Sequence, residues 1–110
     1  MKIKGGKIEL SEKEIRRQIC SFLKQMGIKW WYNLQGLGAY KGLPDLEGVY
    51  HRDIFPGKHF YIEIKRSKGV LSEHQERFKK MVEQAGEDYL TAHSLDEFLE
   101  WWQKTFNKER

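Results

Sequence analysis

Apolar and polar positions along this chain recur with two different periods, and the switches between them mark out seven elements. Ser11 and Glu14 have the S-x-x-E spacing of a capping box, and Ile15, Ile19, Phe22, Leu23 and Met26 follow at helical spacing until Gly27 interrupts them. The spacing predicts an amphipathic helix over 12–26. The aromatic segment 29–34 (KWWYNL) reads as a strand, followed by a mobile loop carrying Gly36, Gly38 and Gly42. Residues 45–50 are a second strand-like stretch, and Pro56 and Gly57, within 51–58, are expected to turn the chain back as a hairpin. In 58–65, Phe60, Ile62 and Ile64 alternate with His59, Tyr61, Glu63 and Lys65, so the first set faces a core and the second faces away from it. Ser72 and Gln75 repeat the capping-box spacing ahead of Phe78, Met81, Val82 and Ala85, a helix that Gly86 ends. Residues 88–92 make one more strand. A third box, Ser94 with Glu97, opens a helix whose Leu95, Phe98, Leu99, Trp102 and Phe106 lie on one stripe. The expected order is αβββαβα, an α/β domain spanning 1–110 with a small mixed sheet flanked by helices.

Composition agrees with a folded domain: of 110 residues a third are charged, yet four Trp, six Phe and five Tyr supply apolar area for a core. No apolar run approaches the roughly 20 residues that cross a bilayer, and the first ten residues lack the apolar stretch of a signal peptide. The expectation is an intracellular, cytoplasmic protein with no membrane partner, of a bacterial or phage-infected host cell. A single cysteine, Cys20, excludes an internal disulfide and a cysteine-rich zinc site. Charge is uneven: residues 1–71 hold 14 Lys and Arg against 7 Asp and Glu, whereas 72–110 hold 6 against 9. A basic N-terminal two thirds suits a surface that meets a polyanion, although an ordinary solvated surface has the same composition.

Asp45, Glu63 and Lys65 carry the candidate chemistry. Side chains two apart on a strand share a face, so Glu63 and Lys65 project together. If 45–50 and 58–65 pair as a hairpin, Asp45 comes level with Glu63, placing two carboxylates and an ammonium in one cluster. Carboxylate oxygens suit Mg2+ or Mn2+, which keep several waters and also accept phosphate oxygens. Lys65 would then position or deprotonate a water or stabilise the developing anion. A surface Glu and Lys beside a turn Asp would give the same spacing without chemistry.

K-G-L-P-D at 41–45, I-E-I-K at 62–65, G-V-L-S-E-H-Q at 69–75 and the A-G at 85–86 together resemble the virus-type replication-repair nuclease (VRR-NUC) domain of the PD-(D/E)XK superfamily. The resemblance covers roughly residues 12–98. It implies a restriction-endonuclease-like core in which Asp45 and Glu63 bind the divalent metal, the Ile64 carbonyl adds a ligand and Lys65 is the catalytic lysine. Glu14 matches the acidic residue such nucleases often carry on the first helix, reaching the metal directly or through water, and it is equally the capping partner of Ser11. Gln75 matches the glutamine after the E-x-K strand, and it equally completes the box with Ser72. The implied activity is Mg2+- or Mn2+-dependent cleavage of structured DNA, such as Holliday junctions or flaps, in repair or recombination.

Around that set, Lys41, Arg66 and Lys68 are candidate contacts to DNA phosphates, with solvated loop charges as the alternative. Tyr40 is placed to stack on an unpaired base or to pack on the sheet. His51, His59, His74 and His93 lack the spacing of a helical metal pair and read as surface or packing residues. Trp30–Trp31 and Trp101–Trp102 are adjacent pairs that cannot all face one small core, and the aromatic area left over suits a homodimer, a state common among proteins resembling this family. A non-catalytic DNA-binding module and a protein-interaction subunit are the rival readings.

Overall fold

A computed structural model describes residues 2–4, 7–34, 40–52 and 55–106. It adds two strands to the expected order: β1 (Lys2–Lys4) and β2 (Lys7–Glu9) pair antiparallel with Ile3 opposite Ile8. Their sequence signal is two alternating triplets, K-I-K and K-I-E, on either side of Gly5-Gly6. The helix α1 (Glu12–Gln25) begins where Ser11 accepts the Glu14 amide (3.1 Å) and ends before Gly27, which takes φ +71°. The strand β3 (Lys29–Tyr32) follows; Gly36 and Gly38 of the expected loop lie outside the described residues.

The strands β4 (Leu46–Arg52) and β5 (Phe55–Ile64) pair antiparallel from Leu46 opposite Ile62 to Arg52 opposite Phe55. Pro56 and Gly57 therefore lie inside β5 and do not make the turn. Between Tyr50–Lys58 and Arg52–Phe55 the register slips by one, so β5 carries one residue more than β4 there. Such a bulge tolerates a proline, whose missing N–H would break a regular ladder.

A helix α2 (Glu73–Gln84) then crosses to β6 (Asp88–Ala92), which lies parallel to β5 with Glu63 opposite Thr91, and α3 (Leu95–Phe106) closes the order as ββαβββαβα. The sheet is four-stranded and mixed, in the order β3-β4-β5-β6. Leu46, Phe60, Ile62 and Ile64 bury one face against Ile15, Ile19 and Leu23 of α1 and Phe98, Trp102 and Phe106 of α3. Gly48 keeps that layer tight: a Cβ there would stand 2.4 Å from the Phe60 ring and 2.5 Å from the Lys29 carbonyl. The opposite face carries Tyr61 and Tyr89 and is covered by Phe78 and Val82 of α2, so the set expected to face away from the core lies partly beneath a helix. Of the tryptophans, Trp102 is 2% exposed, Trp30 and Trp101 pack on the core and Trp31 is 42% exposed. Cys20 is buried with its Sγ 3.6 Å from the Tyr32 hydroxyl, and burial raises its thiol pKa. No described helix is long and apolar enough to cross a membrane.

Candidate metal centre

The β4–β5 register, extended by one residue from Leu46–Ile62, sets Asp45 across from Glu63. Asp45 Oδ2 accepts the Ile64 amide at 2.7 Å, the peptide immediately after Glu63. Asn33 fixes the approach: its amide donates to the Asp45 carbonyl (2.9 Å), and its side-chain Nδ2 donates to the Pro44 carbonyl (3.1 Å) and to Glu47 Oε2 (2.7 Å). Gly42 sets the other limit. At φ +90° it packs so closely on the start of α2 that a Cβ would stand 2.3 Å from the His74 carbonyl oxygen.

Glu63 is the one buried charged side chain among the described residues, at 5% exposure. Its Oε2 accepts from Gln75 Nε2 at 3.0 Å and lies 3.6 Å from Lys65 Nζ, while its Oε1 has no hydrogen-bond partner. Burial first, and then the Asp45 charge, push its carboxyl up to about 7 against the pull of Lys65. Burial raises Asp45 as well, opposed by the Ile64 amide and Arg16. Thr91 Oγ1 and the Tyr89 hydroxyl on β6 are also buried and unpartnered, and the nearby Glu63 and Asp45 charges add to burial in raising the Tyr89 pKa. Three of the four such oxygens among the described residues therefore belong to this part of the sheet; the fourth, Asp88 Oδ2, faces Lys58 Nζ at 3.2 Å. Buried polar atoms are ordinarily paired. Here three acceptors without a protein donor stand beside two carboxylates.

Gln75 both caps its helix and bonds Glu63. Its Oε1 accepts the Ser72 amide (2.8 Å) and its own amide donates to Ser72 Oγ (3.2 Å), completing the capping box, while the Nε2 end of the same side chain holds Glu63. Glu14 is placed differently from the cluster: it bonds Arg17 at 2.8 Å, which lowers its pKa, and it is half exposed. The α1 residues that face the cluster are Glu12 and Arg16. Glu12 Oε2 accepts the Arg66 amide at 3.3 Å, and both charges act on Asp45. Their i, i+4 spacing was the available signal, but capping chemistry pointed to Glu14.

Among the described residues no three His, Cys, Asp or Glu side chains gather as a metal-binding group. Asp45, Glu63 and the backbone of Ile64, the donors expected from the resemblance, lie side by side. Two carboxylates suit Mg2+ or Mn2+, which retain waters and take further oxygens from a phosphate, better than they suit a cation that needs a full protein cage. Lys68 has φ +71°, the one described non-glycine residue with positive φ, in the exposed turn after β5 that also carries Arg66. Tyr40 and Lys41 lie at the start of α2, in a cleft with His74, Arg77 and Phe78. Of the histidines, His59 bonds Glu47 at 2.8 Å and stacks on Tyr61, and His93 bridges Glu97 (2.9 Å) and the Gly69 carbonyl (2.8 Å). No protein-family model, curated protein or solved structure matches this chain.

Proposed function

We propose that this protein is a VRR-NUC-type endonuclease of the PD-(D/E)XK superfamily that hydrolyses phosphodiester bonds of structured DNA, such as Holliday junctions or flaps. The observation that supports it most is Glu63: a carboxylate buried to 5% exposure beside a second carboxylate, with one oxygen left unpartnered. Burying such a pair destabilises the fold, and a structural role gives no return for it. A cation does. Asp45 and Glu63 would hold Mg2+ or Mn2+, with the Ile64 carbonyl as a further donor, and the bound ion would neutralise charge at the phosphate and acidify water.

The chain's own residues do the remaining work. Gln75 fixes Glu63 Oε2, which keeps the unpartnered Oε1 directed into the cluster. The Ile64 amide fixes Asp45 in the same way. Lys65, 3.6 Å from Glu63 and only 19% exposed, could orient an attacking water, take its proton once its own has been lost to solvent, or stabilise charge on the phosphate oxygens. Arg66 and Lys68 extend positive charge from the end of β5 for backbone phosphates. Dimerisation is part of the proposal: β3 is an edge of the sheet with Trp31 and Tyr32 exposed, and two copies would present two cutting centres to a branched duplex.

The test is cleavage of labelled branched and linear duplexes with and without Mn2+. Metal-dependent cutting by the parent and its loss in Asp45→Ala, Glu63→Ala and Lys65→Ala would support the reading. Equal cutting by parent and variants would mean a contaminating nuclease.

A further inference from the structure

We infer that the cleft formed by Tyr40, Lys41, His74, Arg77 and Phe78 is a binding site for one unpaired nucleotide of single-stranded DNA, next to the candidate metal centre. The cleft encloses about 220 Å³, smaller than the few hundred Å³ of a pocket for a larger organic ligand and suited to a single planar group. Phe78 is its buried floor and Tyr40 its exposed wall, 63% accessible, with the two rings 6.0 Å apart at a steep angle. An aromatic face held open in this way gives a base something to stack on whatever its sequence. The remaining lining is Lys41, His74 and Arg77, with no carboxylate among the lining residues. Arg77 is tethered by Glu73 at 3.2 Å, an exposed pair of small worth that a phosphate would readily displace. Lys41 has no ion pair among the described residues.

The cleft's position makes the ligand specific. Lys41 is four residues ahead of Asp45, and His74 immediately precedes Gln75, which holds Glu63. Gly42 clamps the two segments together through the His74 carbonyl. A strand whose phosphate lies at Asp45 and Glu63 would thus run past a stacking wall and two exposed cations. Duplex DNA keeps its bases inside and cannot use that wall; a junction, flap or gap offers an unstacked base. This inference rests on the nuclease reading for its biological setting and deepens it, since it makes the preference for branched DNA a property of one cleft.

The experiment is fluorescence anisotropy of the full chain, in chelator and so without metal, with a labelled short oligothymidylate and a blunt duplex of equal length. Tyr40→Ala should weaken oligothymidylate binding about tenfold and leave duplex binding nearly unchanged, while Tyr40→Phe keeps the parent's affinity. Lys41→Ala and Arg77→Ala should each lower the salt slope of single-strand binding by about 0.7. Unchanged single-strand affinity in Tyr40→Ala, or an equal loss for strand and duplex, would overturn the site. Because binding is read without metal, the expected binding pattern together with no cleavage by the parent in the separate Mn2+ assay would keep the cleft and discard the nuclease. Metal-dependent cleavage with an indifferent Tyr40 would do the reverse.

Discussion

Glu63→Gln separates a functional carboxylate from a structural one, because the two roles move stability in opposite directions. The Glu63 carboxyl titrates at about 7 against an ordinary 4.5, first because it is buried and then because Asp45 is beside it. A folded pKa above the unfolded one means that this group's contribution to stability is fully present below 4.5 and is lost as the pH rises through about 7. Each unit is worth about 1.4 kcal/mol, so at roughly pH 8 the ionised side chain costs the metal-free fold about 3 kcal/mol relative to a neutral one. Glutamine has nearly the same shape and keeps an acceptor for Gln75. The 3.6 Å pairing with Lys65 that it gives up is already contained in that cost, because the Lys65 charge pulls the Glu63 pKa down.

The expected result is a metal-free variant more stable than the parent by about 3 kcal/mol at roughly pH 8, with the gain shrinking to nothing near pH 4. Urea denaturation across that range reads it directly. Adding Mn2+ should reverse the order: the parent gains about 4.1 kcal/mol at a thousandfold excess over its dissociation constant, the variant gains little, and cleavage is lost. A variant destabilised at high pH, or a stability difference independent of pH, would show that the buried charge is not under strain and would remove the main support for a metal centre.

Gly42→Ala should cost about 3 kcal/mol, since its Cβ would meet the His74 carbonyl at 2.3 Å and its φ is +90°. By shifting Asp45 away from Glu63 it should also cut turnover about 100-fold; Gly27→Ala, equally left-handed but with open space, is the control and should cost about 1 kcal/mol with turnover intact. Lys68→Gly relieves the left-handed φ of +71° and should stabilise the fold by about 1 kcal/mol. It should nevertheless lower the salt slope of duplex binding by about 0.9, and an unchanged slope would take Lys68 off the DNA. For His93, burial opposes the charged ring, but the Gly69 carbonyl and Glu97 outweigh it and the pKa is raised. Its stabilisation is therefore complete below 6.5 and disappears as the pH rises through the folded value, so His93→Gln should cost about 1–2 kcal/mol in mild acid and less in base. A cost independent of pH in the same denaturation series would mean that the ring bridges as a neutral group.

The elements legible in the sequence are those specified locally. Three serine caps and three apolar stripes put the helices within a residue or two of where they lie, and the alternation in β5 identified its core face correctly. What was misread depended on a partner strand. Pro56-Gly57 has the composition of a turn, and only pairing with β4 makes it a bulge. The first-helix acid shows the same limit at the site. Glu12 and Glu14 are two residues apart, about 200° around a helix, so they cannot face the same way. Capping spacing favours Glu14, whereas the apolar stripe of Ile15, Ile19 and Leu23 turns the side of Glu12 to the sheet; the two local signals point to different acids, and only the packed fold shows which one stands beside Asp45. Gln75 is the instructive case, because one side chain makes the capping contact and the Glu63 contact at once. An amide has an acceptor end and a donor end. Ser72 takes the first and Glu63 the second, once Gly42 lets the Asp45 loop close on α2 and the helix start comes down over the carboxylate. The cap then does more than start a helix: it fixes which end of Gln75 points inward. Replacing Ser72 should therefore disturb Glu63, which the capping motif alone does not suggest.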